Sequence, residues 1–173
     1  FWFRSGRGRP QTFLRRSAKV PCKLLGLSWK QWKRGCPNNF SSFGTVSDAD
    51  CSADFTGIGQ TWSSPKVLKA AGYSSGTAPL LIMGGGYDTC EDADPNTCTS
   101  SNKGNKVYVL DADTGAVQKT FDTDRGVVAD ITIVPDSNGL GIYAYVADLG
   151  GNVYRISIGT AAPAAWTMTK IAA

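Results

Sequence analysis

Residues 144–156 read AYVADLGGNVYRI. A short apolar run, AYVA, meets Asp148-Leu-Gly-Gly-Asn152, and VYRI then resumes a β-rich run. Two adjacent glycines beside Asp and Asn supply the positive φ that a tight hairpin requires. Val, Tyr and Ile on either side favour a pleated, half-buried surface. A second unit of the same kind, NKVYVLDADTG, occupies residues 105–115. Placing Asn105 on Asn152 gives a period of about 47 residues, close to the range of propeller-blade repeats.

Around these two units the chain divides into eight short runs. In the first set, residues 61–68 form a strand candidate in which Pro65 marks an edge or an entry. Residues 78–83 are a compact apolar run suited to burial on both faces. Residues 106–110 and 116–121 form a hairpin through Asp111-Ala-Asp-Thr-Gly115. In the second set, residues 127–134, 142–147, 152–158 and 166–171 repeat the scheme. The expected class is therefore all-β, as four-stranded antiparallel units of the β-propeller blade type. Blades bury their faces against neighbours, so about two of them read as a fragment of a larger propeller.

The formal net charge of +4 conceals two regions. Ten of the 18 Lys and Arg fall in residues 1–40, together with none of the 14 Asp and Glu. The other eight basic residues share residues 41–173 with all fourteen acids, a net of −6. A basic arm thus precedes an acidic body, and the two are read as separate regions, 1–40 and 41–173. Trp2, Trp29 and Trp32 among the arm's basic residues would suit stacking and phosphate contacts. Three readings of the arm stand side by side: nucleic-acid binding, a disordered or incorrectly translated leader, and a native first strand pair. The second is favoured, so no nucleic-acid partner is expected. The chain does not begin with Met, which leaves its true start open.

Histidine is absent, which removes the commonest general base and the commonest metal ligand. Ser-His-Asp and Cys-His nucleophile arrangements are excluded with it. Gly84-Gly-Gly86 lacks the Lys-Ser/Thr of a phosphate loop. No apolar run reaches the roughly 18 residues of a membrane span. A non-catalytic protein without a membrane span is the expectation.

Five cysteines are present, at 22, 36, 51, 90 and 98. Cys90 and Cys98 bracket the polar loop EDADPNT, and Cys36 and Cys51 bracket another; each pair is read as a disulfide, leaving Cys22. Oxidised pairs imply an extracytoplasmic compartment. The alternative is that all five are reduced. Carboxylates gather at Glu91, Asp92 and Asp94, at Asp111 and Asp113, and at Asp136. Clustered carboxylates suit a hard cation such as calcium. At each of these places a solvated loop or turn is the plainer reading, because Asp accepts backbone N–H bonds and Gly takes positive φ.

Four segments occur in order: GIGQTWSSPKV at 57–67, LLIMGGGYDTCED at 80–92, GNKVYVLDADTGAV at 104–117 and YVADLGGNVYRISIG at 145–159. Together they resemble the C-terminal β-propeller of the PilC/PilY-type type IV pilus-tip proteins, over residues 54–159. The resemblance implies a secreted cell-surface protein of pilus biogenesis and adhesion, with minor pilins and a host or surface receptor as partners. It also implies a calcium loop shortly before the YVADLGGN turn. The matching positions are Asp136 and Asn138, with Asp148 nearby; Leu140 and Ile142 stand where further acids would be. The alternative resemblance, through VYVLDADTG alone, is to quinoprotein dehydrogenase propellers. Those require a quinone pocket, a catalytic acid and paired cysteines, none of which the sequence displays.

Overall fold

The computed structural model describes residues 55–99 and 102–173. The basic arm, together with Cys22, Cys36 and Cys51, lies outside them. Among the described residues there are eight strands in two four-stranded antiparallel sheets, each wound in sequence order. The first sheet contains β1 (Lys66–Leu68), β2 (Leu80–Gly84), β3 (Lys106–Asp111) and β4 (Val117–Asp122). The second contains β5 (Thr132–Pro135), β6 (Gly141–Ala147), β7 (Val153–Ser157) and β8 (Thr167–Ala172). The all-β expectation therefore holds, as do two antiparallel four-stranded units. Asn105 and Asn152 each stand immediately before the third strand of their sheet.

The apolar runs explain the layering. β2 is buried at all five positions because it has a core on each face. Leu80 and Ile82 join Val107, Val109 and Phe121 in a large cluster with Ala144, Val146, Tyr154 and Ile156 of the second sheet and with Trp166, just before β8. Leu81 and Met83 face the other way, with Tyr108 and Leu110 and against Phe55 and Ile58. A strand covered on both sides needs no polar alternation. β6 and β7 do alternate: Val146 and Ile156 point into the shared core, while Tyr143 and Arg155 face outward. Each fully buried aliphatic side chain such as Ile156 contributes about 2 kcal/mol of hydrophobic stabilisation.

Two expected strands are shorter than their sequence runs. Only Lys66–Leu68 of residues 61–68 pairs with β2. The preceding segment is held elsewhere: Gln60 pairs with Tyr87 in an isolated bridge, and the buried Ser63 hydroxyl accepts from the Gly84 amide at 3.1 Å. Of residues 127–134, only the part from Thr132 onward enters the sheet. Val127 instead exchanges backbone bonds with the first sheet's connections, donating to Gly104 and accepting from Gly86. That segment carries the chain from one sheet to the other. Pro135 closes β5 at a register shift, where its missing N–H is tolerated on an edge strand.

The sheets are also tied at both ends. At one end, the Gly141 amide donates to the Lys69 carbonyl at 2.8 Å, beside a parallel bridge between Lys69 and Leu140. At the other, the Leu149 amide donates to the Gly126 carbonyl at 2.9 Å. No helix among the described residues is long and apolar enough to cross a membrane.

Candidate functional site

The end of the molecule where β2 gives way to β3, and β6 to β7, gathers its longest connection and its most constrained polar groups. The segment between β2 and β3 begins at Gly85-Gly86. Gly86 has φ 102°, and a Cβ there would lie 2.3 Å from the Gln60 carbonyl oxygen, so only glycine fits. A single 3₁₀ turn, Thr89–Asp92, follows, opened by Asp88, whose carboxylate accepts from the Cys90 amide at 3.0 Å. Its other oxygen accepts from the Lys103 amide at 2.8 Å, drawing the two ends of the loop together. Cys90 and Cys98 form a disulfide across this loop. That bond belongs to an oxidising compartment rather than a thiol-reducing one.

Glu91 follows Cys90 and turns inward, with its side chain only 5% exposed. The Arg125 guanidinium meets it on both oxygens, with Nε at 2.9 and 3.0 Å. This Arg125 pairing holds the Glu91 carboxyl below the usual carboxylate range, against the opposing effect of burial, and Glu91 in turn raises the Arg125 pKa. A forked guanidinium suits such a bidentate pairing, which a lysine could not make.

Arg125 also reaches the second sheet, through its backbone. Its amide donates to Asp148 Oδ2 at 3.1 Å. Asp148 is 8% exposed and accepts from every direction: the amides of Gly150 and Asn152, the Asn152 side-chain amide, and the Tyr154 hydroxyl at 2.9 Å. Gly151 supplies positive φ, 82°, at the tip. Burial pushes the Asp148 carboxyl up, but the Asn152, Tyr154 and backbone donors outweigh it and leave it lowered. Burial and the Asp148 contact push the Tyr154 phenol up to about 12, against the opposing Asp124 amide.

These contacts decide what the expected calcium residues can do. Asp136 and Asn138 lie in the β5–β6 turn, where Asp136 Oδ1 accepts from the amides of Asn138 and Leu140 at 2.8 Å each. Asp148 lies past the far end of β6. Seven extended residues separate the two by roughly 20 Å. Asp136, Asn138 and Asp148 therefore do not form one coordination sphere, and the Asp148 oxygens are already spent on protein donors. The acidic loop supplies no sphere either: Glu91 is spent on Arg125, and no three carboxylates converge among the described residues. Cys90, Glu91 and Cys98 do lie within 4.8 Å of one another, but disulfide sulfurs are not thiolate ligands. The donor set does not fit calcium. The Cys36–Cys51 pairing falls outside the described residues.

Asp111 and Asp113, by contrast, behave as the turn reading expects. Asp111 Oδ1 accepts from the amides of Asp113 and Thr114 and from the Thr114 hydroxyl. The Tyr73 hydroxyl donates to Asp111 Oδ2, which lowers the Asp111 carboxyl and raises the Tyr73 phenol to about 12.

Two residues of this end escape a reading of the sequence by motif. Arg125 sits between acids and Gly126 in the sheet-to-sheet segment, and its partner is 34 residues away. Trp62 lies in a segment read only as a strand candidate and for its resemblance. Its indole is 63% exposed and stacks on Tyr87 with ring centroids 5.4 Å apart. Leu149, at the tip of the second sheet's turn, is 40% exposed and lies beside Gly126. No family model, curated protein or solved structure matches this chain.

Proposed function

We propose that this chain is part of a β-propeller of the PilC/PilY pilus-tip type, acting outside the cell as a non-catalytic recognition scaffold in type IV pilus biogenesis and adhesion. The observation that carries the reading is the repetition. Two meanders of identical strand order place Asn105 and Asn152 at the same point, before the third strand. The four segments that resemble the family fall at the entry to β1, along β2, through the β3–β4 hairpin, and along β6–β7. The disulfide across residues 90–98 supports an oxidising, extracytoplasmic setting. On such a scaffold the sheets stay constant and the connections carry recognition.

The loop of residues 89–102 is then the first candidate for contact with a receptor or with minor pilins. Its disulfide and the Glu91–Arg125 pair preorganise residues 90–98 of it, which lowers the ordering cost of binding. Replacing its exposed residues Asp92, Asp94 and Thr99 with alanine in a piliated host should reduce surface pili or adherent cells. Counts equal to wild type for both would discard the assignment.

A further inference from the structure

One feature of this end is explained neither by the core nor by the loop's own hydrogen bonds. Trp62 lays one indole face on Tyr87, at an interplanar angle of 19°, and leaves the rest of its surface to solvent. The pair is held from several sides. Tyr87 and Gln60 exchange both backbone bonds, at 2.8 and 2.9 Å. The Tyr87 hydroxyl donates to Asp92 in the disulfide loop. Next to Trp62, the Ser63 side chain is buried against the Gly84 amide. A large aromatic surface is thus fixed in water before anything binds it, at little further entropic cost.

The polar groups beside it have a common character. Asp92 flanks the platform through Tyr87. Two residues along the chain from Trp62, the Ser64 amide donates to Asp130 at 2.6 Å, and Asp130 pairs with Lys66 at 2.7 Å with half of its side chain still exposed. Carboxylates accept hydrogen bonds, so they complement a ligand rich in hydroxyl donors. A pyranose ring presents such hydroxyls at its rim and an apolar C–H face between them, and that face fits the negative face of an indole. The exposed Asp92 and Asp94 nearby give the region an acidic character that opposes an anionic sugar.

We propose that Trp62 and Tyr87 form a platform for a neutral pyranose ring, with Asp92 and Asp130 accepting from its hydroxyls. This rests on reading the loop end as a recognition surface and adds the chemistry of the ligand to it. The test uses the full chain against immobilised oligosaccharides of glucose, galactose and N-acetylglucosamine, with sialylated and sulfated counterparts. Wild type should bind at least one neutral series, and added salt should change that binding little. Trp62→Ala should weaken it about ten-fold or more, as loss of a tryptophan anchor does. Trp62→Phe should retain part of it, and Ile171→Ala, an exposed apolar site on β8, should leave it unchanged. Trp62 is exposed, so its variants should unfold at the wild-type midpoint, which circular dichroism checks. The proposal is overturned if no neutral sugar binds, if Trp62→Ala binds like wild type, or if only sulfated sugars bind and salt abolishes it. Neutral-sugar binding lost in Trp62→Ala, with pili and adherence unaffected by any loop variant, would uphold the platform and remove the pilus reading instead.

Discussion

The β2–β3 connection and the β6–β7 connection occupy the same place in two sheets of the same order, yet they are built on different plans. The second is a minimal turn, Asp148–Asn152, folded around one buried carboxylate. The first is a long loop with a 3₁₀ turn, a disulfide and an inward-turned Glu91. Arg125 joins them, its guanidinium on Glu91 and its amide on Asp148. A scaffold can therefore extend one connection without loosening the structure, provided the extension is anchored to the turn that stayed short.

The strongest way to break this comparison is at the short turn. Asp148→Ala orphans several buried donors at once and should cost about 3 kcal/mol in denaturant unfolding. A loss no greater than that of a surface substitution would mean that the turn is not the anchor. At the long loop, replacing Cys90 and Cys98 together with alanine should cost about 2.5 kcal/mol if loop closure dominates. A reducing agent should bring wild type to the same value.

Arg125→Met tests the joint between the two connections. It leaves Glu91 buried without its partner, and since Arg125 is partly exposed the cost should be about 2 kcal/mol rather than the larger penalty of a fully buried pair. Adding Glu91→Gln to Arg125→Met should recover part of it; a purely additive double variant would separate the two side chains energetically.

Acid provides a gentler test. Glu91 and Asp148 are both lowered in the fold, so the stability they contribute is complete above about pH 5 and is lost as pH falls through the ordinary carboxylate range toward their folded values. Wild type should therefore lose more stability than Asp148→Asn between pH 6 and pH 3, as about a 1 kcal/mol difference. Equal slopes would place the acid sensitivity elsewhere. Smallest of all should be Asp111→Ala, about 0.5–1 kcal/mol, because its turn is open to water and its donors can be rehydrated. A cost equal to that of Asp148→Ala would erase the contrast between buried and exposed turns.

Much of this fold is legible in residue pattern alone. The apolar run at β2, the β3–β4 hairpin and the β6–β7 turn announce themselves through local spacing and turn chemistry. The segment 127–131 does not, because Val127 and Ile131 are as apolar as strand residues, yet Val127 spends its backbone bonds on the first sheet's connections. The site is less legible than the fold. Asp136 and Asp148 look close because twelve residues of sequence separate them, but an extended strand turns sequence proximity into distance. Glu91 and Arg125 illustrate the reverse, as a pairing across 34 residues that no local motif encodes.

The shared core between the two sheets has a kinetic meaning. Every strand pairs with its neighbour in sequence, so each meander can assemble through short loop closures. Yet Leu80, Ile82, Val107 and Val109 of one and Val146, Tyr154 and Ile156 of the other lose water only when the faces meet. Docking is then the committing event, and both sheets should melt in a single cooperative transition, with neither surviving the other.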